Sequence, residues 1–187
     1  MRNYYTSILF WILTVPCAFA QSVEFPAPFD EKLAIAGLEI SQPLDAAYQT
    51  EPVYDNPYQQ YDFAIHSKLE GMEIRYFVLP YNESDTLSMS PDVLCLRAST
   101  SVAVNEDEGI VSMLGITKRE LRETFGADWG ILYFFKPKQD FGAYQHCRML
   151  ALYKDGIGSV LVFFLFDDPN NDFIDLRFPA VRFTEMN

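Results

Sequence analysis

Val160-Leu161-Val162-Phe163-Phe164-Leu165-Phe166 is apolar at every position. A strand with one wet face alternates apolar and polar residues, so an unbroken run of seven requires cover on both of its faces. The run therefore belongs at the centre of a sheet with material packed above and below. Ile131-Leu132-Tyr133-Phe134-Phe135 makes the same demand and is placed at the centre with it. Upstream of the first run, residues 143–154 read as a further strand. Asp155-Gly156 joins it to a strand over 157–166 as a tight hairpin, since both turn positions tolerate positive φ.

Further out, residues 61–66 and 72–79 form a strand pair across Ser67-Lys68-Leu69-Glu70-Gly71. In the second strand Met72, Ile74, Tyr76 and Val78 share one face and Glu73 and Arg75 the other, the alternation of a half-exposed antiparallel strand. Ser90-Pro91 supplies a cap and a first-turn proline for a helix. Val93, Leu94 and Leu96 start its apolar stripe, which fades at Val102 before Glu106-Asp107-Glu108-Gly109 ends it. Thr117-Lys118-Arg119-Glu120 is a capping box, followed by Leu121 and Phe125 four apart and by Gly126 as terminator.

The N-terminal side is less regular. Phe25-Pro26-Ala27-Pro28-Phe29 reads as an extended lead-in, because residues before proline avoid the helical region. Residues 37–41 are a short strand stopped by Pro43. The stretch from Tyr48 to Tyr61 holds Tyr48, Tyr54, Tyr58 and Tyr61 among Pro52, Pro57 and Asn56, and reads as a loop. At the other end a helical segment starts near Asn171 and is weakened by Pro179.

These elements define an α+β chain: a three-layer α/β/α sandwich around a mainly antiparallel sheet. Gly37-Leu38-Glu39-Ile40-Ser41-Gln42-Pro43, Tyr153-Lys154-Asp155-Gly156, the stretch from Val160 to Asp168 and the stretch from Phe178 to Phe183, in this element order, resemble the PsbP/Mog1-like group. The likeness covers about residues 35–184 and is strongest to secreted bacterial members of unassigned function. It implies a scaffold used mainly to bind other proteins, with no catalytic residues to transfer. The tyrosine-rich loop and the acidic run at Glu106 depart from that pattern.

Residues 1–20 carry Arg2, an apolar run from Ile8 to Val15 and the small-x-small site Ala18-Phe19-Ala20, the plan of a cleavable secretory signal. Residues 21–187 then form one exported, secreted or periplasmic domain. The apolar run is too short, and too soon interrupted by Pro16, for a stable membrane span. The chain is acidic, with a formal charge of −12 and no cluster of Lys or Arg along the sequence. Phosphate backbones are therefore disfavoured as partners, and nucleic acid is not expected.

Cys17 leaves with the signal, so Cys95 and Cys147 remain as a pair in an oxidising compartment. A bridge between them is expected to contribute about 4 kcal/mol by restricting the unfolded chain; two buried thiols acting as small hydrophobes are the alternative.

No motif for a cofactor or a catalytic residue emerges. His66 and His146 stand alone in strands, without a nucleophile elbow or zinc-ligand spacing. Asp167, Asp168, Asn170 and Asp172 offer hard oxygens on one turn, as calcium prefers. Their spacing fits no EF-hand, and a plain turn with Asn171 capping the next helix accounts for them.

Tyr48, Tyr54, Tyr58 and Tyr61 are the expected partner-binding residues, since tyrosine gives large, stiff contact area. The reading is thus a non-enzymatic protein-binding or assembly module. A small-ligand binder, or a carboxylate-dependent hydrolase, is the alternative.

Overall fold

A computed structural model describes residues 23–41, 47–105 and 109–184. The expected leader at 1–20 and the acidic run Glu106-Asp107-Glu108 lie outside the described residues. In chain order the elements are α1 (Ala27–Ile35), β1 (Leu38–Ile40), β2 (Gln49–Glu51), β3 (Phe63–Ser67), β4 (Met72–Pro80), α2 (Pro91–Val102) and β5 (Ser112–Gly115). Then follow α3 (Lys118–Glu120), which runs on as a π-turn over Leu121–Phe125, β6 (Trp129–Phe135), β7 (His146–Lys154), β8 (Gly158–Phe166), α4 (Phe173–Arg177), a 3₁₀ turn over Phe178–Ala180 and β9 (Val181–Phe183).

Seven strands form one sheet in the order β2-β3-β4-β8-β7-β6-β5, and β1 pairs with β9 in a separate ribbon. Every strand pairing among the described residues is antiparallel. The described residues are thus α+β, with four helices and a mostly antiparallel seven-stranded sheet.

The all-apolar run sits where its composition requires. Each residue of β8 is buried, and β4 and β7 flank it along its whole length. Alternate side chains enter opposite cores. Val160, Val162, Phe164 and Phe166 join Phe29, Leu33, Leu121, Phe125, Ile174 and Phe183 on one face. Leu161, Phe163 and Leu165 join Leu94, Cys95, Ala98 and Val102 of α2 on the other. Burying each large side chain contributes about 1.5–3 kcal/mol, which makes β8 the main source of cohesion for both cores.

The second apolar run is not central, and this corrects the expectation. β6 lies next to the edge, covered by the four-residue strand β5, and its Ile131, Leu132 and Phe134 are only half-buried. β5 escaped notice because Ser112-Met113-Leu114-Gly115 is short and ends in glycine. The lead-in at 25–29 is also corrected: α1 begins at Ala27, with Pro28 in its first turn. Those positions have no intrahelical N–H bond to lose, so proline is tolerated there. In α2 the inward residues are Leu94, Cys95, Ala98, Ser99 and Val102, while Val93 and Leu96 face solvent.

The Thr117 cap and the Gly126 terminator form as read. Thr117 Oγ1 accepts from the Glu120 N–H at 3.3 Å. Gly126 ends the π-turn at φ +60°, and a Cβ there would lie 2.6 Å from the Phe183 carbonyl oxygen. Both backbone shape and the approach of β9 therefore require glycine. Met72, Ile74, Tyr76 and Val78 all enter the first core. Glu73 and Arg75, on the opposite side of β4, are not left open to water as expected. Tyr61, Phe141 and Tyr144 cover them.

Candidate functional site

The loop from Val53 to Gln60 is irregular yet tied down at named points. Asn56 is buried and organises it: its amide Nδ2 donates to the Asp140 carbonyl oxygen at 2.9 Å, and its Oδ1 accepts from the Tyr58 N–H at 3.0 Å. Ser101 of α2 donates its hydroxyl to the Tyr58 carbonyl oxygen at 2.6 Å. Lys138 Nζ donates to the Ser101 carbonyl oxygen at 2.5 Å and lies 4.5 Å from the centre of the Tyr58 ring. One asparagine, one serine and one cation–π contact thus fasten the loop to α2 and to the turn after β6.

The four expected tyrosines divide into two kinds. Tyr48 is buried and donates to Glu70 Oε2 at 2.6 Å. Tyr61 is buried beneath the Arg75 guanidinium, 4.7 Å away, and its hydroxyl accepts from the Tyr54 N–H at 3.3 Å. Both are therefore structural, and the expectation that they meet a partner is corrected. Tyr54 is 66% exposed at the loop tip, and Tyr58 is half-buried.

Between this loop and α2 lies an open cleft of about 350 Å³, lined by Asn56, Tyr58, Phe77, Leu87, Leu94 and Arg97, among others. Around it Val53, Tyr54, Met89 and Val93 present exposed apolar surface. Val93 stands one helical turn before Arg97, so the helix carries the patch onward from the cleft rim. Apolar area, an aromatic tip and one arginine on a pinned backbone are the components of a recognition surface.

The remaining candidates are placed elsewhere. The turn after β8 sits against the β3–β4 turn, and three of its side chains accept from nearby backbone N–H groups. Asp167 accepts from the Gln145 N–H, Asp168 from the Asn170 N–H, and Asn171 from the Phe173 N–H, an Asx turn ahead of α4, whose N-cap is Asp172 rather than the expected Asn171. Among the described residues no three His, Cys, Asp or Glu side chains gather to hold a metal; Asp167, Asp168, Asn170 and Asp172 lie on the turn between β8 and α4.

Cys95 and Cys147 are buried in the same core but unpaired, so the expected bridge is not formed. Cys95 lies on α2 and Cys147 on β7 beneath it, and each packs as a small apolar group. Burial pushes the Cys95 thiol up to about 12, with Asp92 adding to the effect, and raises Cys147 well above its ordinary value despite Arg75 nearby. Neither is a ready nucleophile. His66 lies 3.8 Å from Glu51, and His146 stacks on Phe166.

Two ion pairs are largely shielded from water. Arg75 Nε donates to Glu73 Oε1 at 2.6 Å, and Tyr144 donates to Glu73 Oε2 at 3.1 Å. Burial and then Glu73 raise the Tyr144 hydroxyl, so it stays protonated. Arg177 makes two hydrogen bonds to the Glu70 carboxylate. Glu70 and Arg177 are 107 residues apart, whereas Glu73 and Arg75 are near neighbours on one face of β4 whose cover, Tyr61, Phe141 and Tyr144, comes from elsewhere in the chain.

No helix among the described residues is long and apolar enough to cross a membrane. No family model, curated protein or solved structure matches this chain.

Proposed function

We propose that the protein is an exported, non-enzymatic protein-binding or assembly module on a PsbP/Mog1-like three-layer α/β/α scaffold, with its partner surface formed by the loop at Val53–Gln60 and the neighbouring face of α2. The observation that carries this reading is the exposed Tyr54 on a backbone pinned through Asn56 and Ser101. A rigid aromatic loses little entropy on docking, so its burial converts efficiently into affinity. The cleft beside it is open rather than enclosed, which suits a side chain of a partner better than a sequestered small ligand. The separation of the two cores by β8 supports the layered scaffold.

Photo-crosslinking in the producing cell tests the surface. A photoreactive residue at position 54 is expected to give discrete protein adducts. The same residue at position 119, exposed in α3 on the other side of the sheet, is expected to give none of them. Identical adducts from both positions, or none from position 54, would contradict the assignment.

A further inference from the structure

On the sheet face opposite α2, antiparallel register lines up cations and aromatic rings from three strands. Phe134 of β6 is paired with Arg148 of β7, and His146 of β7 with Phe166 of β8. Lys136 follows β6 directly and falls level with His146, because Phe135 is paired with Cys147. The Arg148 guanidinium lies over both rings, 5.7 Å from the centre of Phe134 and 5.6 Å from that of Phe166. The His146 ring stacks on Phe166 at 5.5 Å and 27°. Together with Ile110 these side chains line an open groove of about 310 Å³.

Among the described residues the charged side chains that line this groove, Lys136 and Arg148, are cationic. Asp175 of α4 takes one bond from Arg148 Nη1, at 3.1 Å. A guanidinium has five N–H donors, so most remain for a second acceptor. Among the described residues neither Lys136 nor His146 has an ion-pair partner. Of the three carboxylates of the adjoining turn, Asp167 and Asp168 accept from the backbone N–H groups of Gln145 and Asn170, and none of the three lines the groove. A chain with formal charge −12 thus places Lys136 and Arg148 together, beside the His146 ring.

We propose that this groove binds a small organic anion, a carboxylate carried on a flat aromatic or apolar body. The body packs on Phe134, Phe166 and Ile110, and the carboxylate meets Lys136 and the remaining donors of Arg148. Both rings and Asp175 hold the guanidinium in place, so little side-chain freedom is lost on binding. A cation is repelled by the same groups. A neutral aromatic keeps the packing but forfeits the charge-assisted hydrogen bonds. This site is independent of the loop surface on the other side of the sheet.

The probe is 2-naphthoate, titrated into the purified protein, with 2-naphthamide as the uncharged control. Binding is read from naphthalene fluorescence and from the ring resonances of His146 and His66. The expected result is saturable naphthoate binding that shifts His146 and leaves His66 in place. The amide and the Lys136→Gln variant are each expected to show about tenfold weaker binding, the loss of one charge-assisted hydrogen bond. Lys136 is exposed and offers the fold only its carbonyl, which accepts from the Val104 N–H, so the variant retains the structure. Absence of saturation at millimolar naphthoate, a shift confined to His66, equal affinity for the amide, or an unchanged affinity in Lys136→Gln would each overturn the proposal.

Discussion

Glu70 is nearly sealed from water and holds three separate parts of the chain together. It accepts from Tyr48 at 2.6 Å and from Arg177, while its backbone carbonyl oxygen accepts from Asn171 Nδ2 at 2.7 Å. Removing one member of a buried ion pair leaves the other charge unanswered, so Glu70→Gln is expected to cost about 3–5 kcal/mol in urea denaturation. Tyr48→Phe is expected to cost about 1–3 kcal/mol. A cost for Glu70→Gln below that for Tyr48→Phe would contradict the network. Ser159 gives the opposite sign: its buried Oγ has no hydrogen-bond partner among the described residues, so Ser159→Ala is expected to be neutral or to stabilise by about 1 kcal/mol, read from the same denaturation midpoint. None of this was legible in the sequence. Tyr48 and Tyr54 look alike in a loop, and only the position of Glu70 buries one and leaves the other at the surface.

Secondary-structure elements were legible to the degree that one run of residues answers one environment. The run from Val160 to Phe166 specified its own position, because seven apolar residues allow no wet face. The run from Ile131 to Phe135 looked equivalent but is covered on its outer side by β5 alone. In α2 the inward stripe is made of Cys95, Ala98 and Ser99 as much as Leu94, so the larger Val93 and Leu96 drew attention to the wrong face. The groove at Lys136, His146 and Arg148 depends on strand register, and a hairpin reading carried as far as the pairing of 134 with 148 would have found it. The contrast between strands is testable. Phe163→Ala in β8, which removes a ring packed on Phe141 at 5.2 Å, is expected to cost about 3–5 kcal/mol. Leu114→Ala in β5, at an exposed edge, is expected to stay within about 0.5 kcal/mol. Comparable costs in thermal or urea unfolding would contradict the strand order.

At the scale of the molecule, two cores lie on opposite faces of one sheet with β8 at its centre, and both collect groups that resist ionisation. Burial raises the Tyr48, Tyr76 and Tyr144 hydroxyls and the Cys95 and Cys147 thiols above their ordinary values. A raised value means that the folded chain holds the proton where the unfolded chain releases it. Stability from these groups is therefore complete below about pH 8.5, the value of a free thiol, and falls as pH rises past that and past about 10, where free tyrosine ionises. The urea midpoint at pH 10.5 is expected to lie well below that at pH 8, and a midpoint that is unchanged or higher would contradict the burial of these side chains. Native-state hydrogen exchange tests the central claim, that β8 is the shared interior of both cores. The amides of residues 160–166 are expected to exchange only through global unfolding, with an opening free energy equal to that from denaturation, while those of residues 112–115 exchange much faster. Exchange of 160–166 at the rate of the edge strand would contradict it.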